Sequence, residues 1–389
     1  MSRRVGVDLR ALQDGFKAHK TRGIGVYTGA LMARRDRAPA GLALAPFHDP
    51  KFEAELPSRC GSAPLVRTPL AALLDPWMKE YVRQHTFLKG LLTRHAREQR
   101  LDAIFFPSHL DAPSGLPVPT VVTAHDMIQR ALMEIRPATF KDRLHVRKQC
   151  EVLRQAARII AVSAHTADDV VRYAGVDRSK IEVIHNGVDP LFRRLDRAGD
   201  GPVNGHRLPE RFVLNVGGID WRKNVELLFD SFSRLLASHP DLSLVMTGAI
   251  ENDPRYAGFK ADLTRRGLAD RVVAPGYVSP DDLVRLYNRC EVFFYPSVYE
   301  GFGLPVAEAM ACGAPVISTN VSSIPEVAGD AALLFDPARP DDFADGLRRV
   351  IEEPSLRRDL SEKGIERAAR FDWNACAEAH WQVLSGEGG

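Results

Sequence analysis

Residues 292–320 read VFFYPSVYEGFGLPVAEAMACGAPVISTN, and the succession of residue types in this stretch decides the fold. Val292 to Tyr295 form an apolar run of strand length that Pro296 stops. A loop from Ser297 to Gly303 follows. Pro305 then stands where proline suits the first turn of a helix, and Gly313 where a glycine closes one. A second apolar strand begins at Pro315. Strand, loop, helix and strand in this order describe one unit of a parallel α/β layer. The loop Glu300-Gly301-Phe302-Gly303 is therefore expected at the carboxyl edge of a parallel sheet, against a helix N-terminus. Free amides there receive phosphate, and glycines let a ligand approach closely.

Two carboxylates flank this loop, Glu300 before the helix and Glu308 within it. Carboxylates do not bind phosphate, but they suit the hydroxyls of a sugar or a ribose. Taken alone, the pair also reads as a solvated loop residue and a partner for the helix dipole.

The same alternation runs outward in both directions. Strands are expected at Val5–Leu9, Leu42–Pro46, Ala103–Phe106, Thr120–Ala124, Arg158–Val162 and Ile181–His185. A second set is expected at Phe212–Val216, Leu242–Thr247, Val272–Pro275, Val292–Tyr295, Pro315–Thr319 and Ala332–Phe335. A chain of 389 residues exceeds a single core, which predicts two domains. The segment 191–209, rich in Gly, Pro and charge, reads as the linker between a domain over 1–190 and one over 210–370. A helix over about 371–389 carries Trp373, Cys376, His380 and Trp381 on one face and is expected to pack back on the first domain.

Composition narrows the class further. Hydrophobic residues at 45% and charged residues at 26% are ordinary for a globular protein. No apolar run approaches the length of about 18 residues that spans a bilayer. The first residues run directly into the strand Val5–Leu9, which is not the pattern of a signal peptide. Five scattered cysteines without CxxC spacing point to a reducing cytosol and no structural metal. Residues 1–190 hold 29 Lys+Arg against 20 Asp+Glu, a balance of +9, and the remainder holds 23 against 30, a balance of −7. A basic first half faces either an anionic partner or the acidic second half.

The stretch YPSVYEGFGLPVAEAMACGAPVISTNVSSIPEVAGDAALLFDP resembles the E-x7-E motif of retaining GT-B glycosyltransferases, family GT4 (glycosyl transferases group 1). The resemblance continues at Val216–Asn224 (VGGIDWRKN), Gly276–Ser279, Ile184–Asp189 and Arg22–Tyr27, in the family's order. It implies an α/β GT-B fold, two Rossmann-like domains facing a central cleft. The first would bind acceptor and the second a nucleotide diphosphate sugar, the donor substrate, with no cofactor and no metal.

That resemblance also implies roles. Arg222 and Lys223, after a Gly-Gly turn that includes Gly218, would hold the donor pyrophosphate and neutralise the leaving group, work that a metal does elsewhere. Glu308 would bind the ribose, Glu300 the hydroxyls of the transferred sugar, and Gly301, Phe302, Gly303 and Leu304 the sugar and distal phosphate. Gly23-Ile24-Gly25 stands too far from its strand for a dinucleotide fingerprint, and the resemblance implies instead that Gly25 belongs to a glycine loop closing over the phosphates. The basic segment Gly15–Lys20 beside it reads as a phosphate-sensing or acceptor loop, or as a solvated one. His125 ends a strand and would contact the donor sugar near the reacting carbon, and His109 and Asp126 are acceptor-side candidates. The mechanism implied is front-face transfer with retention.

Segment 73–100 carries six Lys/Arg against three Asp/Glu among Trp77, Tyr81, Phe87, Leu88, Leu91 and Leu92. It reads either as an amphipathic helix resting on an anionic membrane or as one packed on its own sheet. A glycan or a polyprenyl-diphosphate-linked glycan is the acceptor class that follows, at the cytoplasmic face of the cell membrane, with no nucleic-acid partner. Similar bacterial enzymes commonly use GDP-mannose, which makes mannosyl transfer in polysaccharide or lipopolysaccharide biosynthesis the lead. The rival classes are a nucleotide-sugar epimerase or phosphorylase-like enzyme, and a non-catalytic sugar-binding protein.

Overall fold

The computed structural model describes residues 2–13, 23–49, 63–64 and 88–386. The chain divides into two compact units, Met1–Gly187 with Trp373–Gly389, and Val188–Asp372. Each unit is built on one sheet, and every strand pairing in both is parallel.

The first sheet contains β1 (Arg3–Asp8), β2 (Leu42–His48), β3 (Ala63–Pro64), β4 (Ala103–Phe106), β5 (Thr120–Ala124), β6 (Arg158–Ala161) and β7 (Ile181–Val183), in the order 3-2-1-4-5-6-7. The second contains β8 (Phe212–Val216), β9 (Ser243–Thr247), β10 (Val272–Gly276), β11 (Val292–Tyr295), β12 (Val316–Thr319) and β13 (Ala332–Phe335), in the order 10-9-8-11-12-13. Both orders grow outward from the first strand to one edge, then resume on its other side. The reversal falls between β1 and β4 in one unit and between β8 and β11 in the other. Sheets of this kind take their ligands outside the carboxyl ends at that point.

Burial explains why the strands read as continuous apolar runs. In β4 the side chains of Ile104 and Phe106 enter one core with Val146, Cys150 and Leu153 of the helix Phe140–Gln155. Ala103 and Phe105 enter the opposite core with Leu31, Trp373 and Trp381. Successive residues of a strand point to opposite faces, so a strand covered on both faces has no polar positions. The second unit follows the same rule. Val292 and Phe294 of β11 pack with Phe229 and Phe232.

The expected strands are present with shifts of one or two residues at their ends, and β3 was not anticipated. Ala63-Pro64 lies outside any recognisable apolar run, which left nothing in the sequence to mark it.

One expectation about organisation changes. The segment 191–209 is not a free linker. Val203 is fully buried, and the side-chain amide of Asn204 donates to the carbonyls of Pro275 and Tyr277 at 2.8 and 2.7 Å. Arg285 reaches the carbonyls of Gly199 and Gly201. Composition suggested a spacer, but these bonds make the segment part of the second unit, and the passage comes earlier, after Gly187. A Cβ on Gly187 would lie 2.4 Å from the backbone nitrogen of Trp373, so only glycine allows the two passages to meet.

Segment 73–100 reads either as a membrane-surface helix or as one packed on its own sheet, and only residues 88–100 of it are described. The helix Leu88–Glu98 buries Leu88, Leu92 and Ala96 in its own core, which is the packed reading of that helix. The residues before it lie outside the described set.

The C-terminal helix Trp373–Ser385 completes one face of the first sheet. Trp381 is fully buried and its indole N–H donates to the carbonyl of Arg34 at 3.1 Å. Replacing Trp381 with Ala should destabilise the first unit by about 3–5 kcal/mol, from lost burial and the cavity left behind. Removing the exposed ion pair between Glu378 of the same helix and Arg37 should cost under about 1 kcal/mol. Equilibrium denaturation of both variants compares the two directly.

Candidate active site

The second unit gathers its polar residues at the reversal of strand order. Beyond β8, Gly217 and Gly218 take φ values of +117° and +76°, and both amides donate to the carbonyl of Thr247 at 3.0 Å. The turn that results presses Gly218 against Gly248, where a Cβ would lie 2.4 Å from the Gly218 nitrogen. It leads into a single 3-10 turn, Trp221–Lys223, capped by Asp220. That carboxylate accepts from the Arg222 amide at 3.1 Å and from Arg222 Nε at 2.9 Å. A Cβ on Gly217 would stand 2.6 Å from Lys223 Cε. The glycine is what lets the lysine fold back over the end of the sheet.

Lys223 is buried there. Its Nζ donates to Glu300 Oε1 at 2.8 Å and to the hydroxyl of Tyr295, and lies 4.5 Å from the centre of the Tyr295 ring. Glu300 Oε1 also accepts from Tyr295 Oη at 2.8 Å and from Ser297 Oγ at 2.6 Å. Three donors converge on one oxygen, and Oε2 accepts no bond among the described residues. Burial pushes the Glu300 carboxyl upward, but the charges of Lys223 and Arg222 outweigh it and hold the group below its ordinary value. Burial likewise opposes the Arg222 charge, and Glu300 and Asp220 outweigh it, so the guanidinium is held above its ordinary value.

The loop that carries Glu300 is fastened from two sides. The amide of Val298 donates to the Arg222 carbonyl at 2.8 Å, which ties the two site loops together. Beyond β12, the hydroxyls of Ser322 and Ser323 donate to the Glu300 carbonyl at 2.6 and 2.9 Å, and Thr319, the last residue of β12, donates to that of Ser297 at 2.5 Å. Gly301 follows Glu300, and the Phe302 ring stands edge-on to Phe371, with centroids 5.3 Å apart. Gly303, at φ +100°, starts the helix Leu304–Ala311 with Pro305 in its first turn, and Gly313 ends it at φ +75°. The amides of Gly303 and Leu304 are left without an intrahelical acceptor, as in the first turn of any helix.

Glu308 lies on this helix beside Tyr287 and Asp189. Burial pushes its carboxyl up to about 7, with the Tyr287 hydroxyl pulling it down and Asp189 adding to the push. The helix-dipole reading of Glu308 fits less well, because the residue is the fifth of an eight-residue helix rather than in its first turn.

In the first unit, His109 and His125 follow adjacent paired strands, β4 and β5. His125 Nε2 donates to the Pro107 carbonyl at 2.7 Å. Its ring meets Tyr27 edge-on, with centroids 4.7 Å apart. His109 is buried with neither ring nitrogen bonded, and burial together with nearby His125 brings its pKa down to about 4. It is thus a neutral imidazole. Asp126 is engaged locally, accepting from the Ile128 amide at 3.0 Å at the start of the helix Ile128–Ile135. Gly25 is not in a loop. It is buried within the helix Gly23–Met32, so the described part of the glycine segment is helical, and residues 14–22 lie outside the described set.

Tyr27 belongs to a chain of bonds with one possible direction. His380 Nδ1 donates to the Cys376 carbonyl at 2.6 Å, so its Nε2 must accept, and the hydroxyl of Tyr27 donates to it. Tyr27 Oη then accepts from Thr123 Oγ1 at 2.9 Å. Burial brings the His380 pKa down to about 4, which keeps that direction unchanged near neutral pH. The bond between Tyr27 and His380 escaped the sequence reading because the two residues lie 353 positions apart. Tyr295 and Ser297 stand inside the motif itself, where the residue types alone did not reveal that they bond Glu300.

Comparison with known proteins agrees with this geometry. The profile described as glycosyl transferases group 1 matches residues 197–367, and that described as glycosyltransferase family 4 matches residues 42–191. O-antigen chain mannosyltransferase B of Escherichia coli is 30% identical over 266 residues, 66% of this chain and 67% of that protein. The serotype-specific mannosyltransferase WbdA of E. coli is 29% identical over 282 residues, and the match spans 69% of this chain but only 34% of WbdA. Two solved structures share the fold across nearly the whole chain. Sucrose-phosphate synthase from Thermosynechococcus elongatus superposes with a TM-score of 0.74 at 21% identity, covering 98% of both chains. Anabaena HepE, solved with UDP and glucose, superposes with a TM-score of 0.73 at 18% identity, covering 99% of this chain and 100% of that one. The chain belongs to the GT4-type glycosyltransferases and has the GT-B fold, with the buried Lys223–Glu300 pair at the strand reversal of its second unit.

Proposed function

We propose that this enzyme transfers a hexose from a nucleotide diphosphate sugar to a glycan or lipid-linked glycan, with retention of configuration and without a metal. The observation that carries the reading is the Lys223–Glu300 pair, set beside Arg222 and the start of the helix Leu304–Ala311. Glu300 keeps Oε2 for a sugar hydroxyl. Arg222 keeps both terminal guanidinium nitrogens unbonded among the described residues, and Lys223 has a third proton to give. These donors and the first-turn amides suit a diphosphate. Glu308 accepts from the ribose, and His125 contacts the transferred sugar.

The chemistry is a front-face displacement. As the bond from the anomeric carbon to the phosphate oxygen breaks, Arg222 and Lys223 stabilise the charge that grows on the leaving diphosphate. The acceptor hydroxyl bonds the same face of that carbon and gives its proton to the departing phosphate oxygen. The mannosyltransferase names of the E. coli relatives make GDP-mannose the first donor to test, and their O-antigen association suggests a lipid-linked acceptor. Incubating the full chain with GDP-mannose, UDP-glucose and other nucleotide sugars, and following donor hydrolysis, tests the class. No hydrolysis or transfer with any donor would count against it.

Arg222→Ala or Lys223→Ala should lower kcat by about 10²–10³ while donor affinity falls less, because the charge they meet grows in the transition state. Lys223→Arg should not restore full turnover, since a planar fork places its donors differently from an ammonium. Lys223→Ala leaves Glu300 buried and unpaired, so its folding is checked first by denaturation. A raised KM with unchanged kcat would remove the leaving-group role from the pair.

Glu308→Gln gives a second test through pH. The folded carboxyl titrates near 7 and the unfolded one near its ordinary 4.5, so ionisation destabilises the fold as pH rises between them. The Gln variant should therefore gain in Tm over the wild type from pH 4.5 to 7 and keep that gain above it. Its donor affinity should meanwhile fall by roughly 10-fold or more at pH 8, where the wild type offers a charged acceptor. Turnover that is lost with EDTA and restored by magnesium or manganese would overturn the metal-free reading, for which full activity in EDTA is expected.

A further inference from the structure

Among the described residues of the first unit, the two most exposed large apolar side chains stand together at one turn. Phe140 is 78% exposed and Ile135 is 68% exposed, on either side of the turn joining the helices Ile128–Ile135 and Phe140–Gln155. A phenylalanine left this open at the first position of a helix gains nothing from folding. The helix explains what surrounds it. Phe140, Arg143, Leu144 and Arg147 fall at spacings of three and four and so share one face. Phe140, Arg143 and Arg147 are exposed and Leu144 is half-buried, while Val146, Gln149, Cys150 and Leu153 turn to the core.

The charge on this surface is predominantly positive. Between Arg130 and Lys148 there are six Lys/Arg and two acidic residues. Both acids are engaged. Asp142 accepts from the Thr139 amide and pairs with Arg136, and Glu134 pairs with Arg172. Arg143 and Arg147 have no carboxylate partner among the described residues. Exposed apolar groups beside cations on a helix lying along the surface fit the boundary between lipid headgroups and acyl chains.

We infer that the turn Ile135–Phe140 and the outer face of the helix that follows form a docking surface for an anionic lipid bilayer, with Ile135 and Phe140 entering the headgroup layer and Arg136, Arg143 and Arg147 meeting lipid phosphates. This deepens the proposed function, since it rests on a lipid-linked acceptor and would deliver the enzyme to it.

Co-sedimentation of the full chain with phosphatidylglycerol vesicles and with phosphatidylcholine vesicles tests it. The wild type should bind the anionic vesicles, leave them as salt is raised, and ignore the zwitterionic ones. Arg143→Gln with Arg147→Gln should weaken partitioning by about 25-fold, at about fivefold for each cation near the surface. Ile135→Ser with Phe140→Ser should weaken it by at least about 10-fold. All four side chains are exposed, so Tm and donor hydrolysis in the absence of vesicles should not change. Vesicle binding equal in wild type and variants overturns the inference, as does binding indifferent to lipid charge. So does a concentration-dependent dimer abolished by Ile135→Ser with Phe140→Ser, which would assign the patch to a second copy. Donor hydrolysis without vesicles reports on the glycosyltransferase reading alone, so failure of one does not masquerade as failure of the other.

Discussion

The contact between Lys223 and Glu300 constrains the rest of the second unit. A buried ion pair is costly to desolvate, and its mutual attraction offsets that cost only when further hydrogen bonds satisfy both ions. Here they do. Tyr295 bonds both partners, Ser297 bonds the carboxylate, and the Tyr295 ring lies against the ammonium. Each of these groups sits at the end of β8 or β11, the adjacent strands on either side of the reversal. The lysine reaches its place because Gly217 has no side chain. Substituting that glycine would push the ammonium from the carboxylate and leave two charges buried apart.

The pairing also shapes the electrostatics. Each cation already has its own carboxylate, Arg222 with Asp220 and Lys223 with Glu300. The site is thus close to neutral, with directed N–H donors rather than a pool of excess positive charge. Donors held in fixed directions need no reorganisation when charge appears on a leaving group, which is where preorganised sites gain most. The serine hydroxyls beyond β12 serve the same end by fixing the Glu300 loop from below.

The first unit shows a comparable economy with neutral groups. His109 and His380 are both held uncharged by burial, and the bonds from Thr123 through Tyr27 to His380 run in one direction. Tyr27 thereby presents a fixed edge to His125. The helix that supplies His380 returns to the first unit only after the whole second unit has been threaded, so one end of the chain helps to orient a residue near the other. The basic character of the first half likewise gains a location. Two of its cations, Arg143 and Arg147, stand exposed on the helix face that carries Phe140.

Much of this was legible from residue order. Apolar runs marked nearly every strand because both faces of each sheet are covered, and Pro305 and Gly313 bounded their helix because backbone torsions there admit few residue types. The motif placed Glu300, Arg222 and Lys223 beyond strand ends and Glu308 on the helix that follows, since a strand-loop-helix pattern already says which end of the sheet a loop occupies. What only the tertiary structure decided is how side chains distant in sequence meet. Lys223 and Glu300 are 77 positions apart and Tyr27 and His380 are 353 apart, and no local pattern encodes such a bond. Segment 191–209 has a linker's composition yet is bonded into the second unit, because composition reports the solubility of a segment and not its partners. Phe140 looks like one more core residue in the sequence, and its exposure follows from which face of its helix the sheet happens to cover.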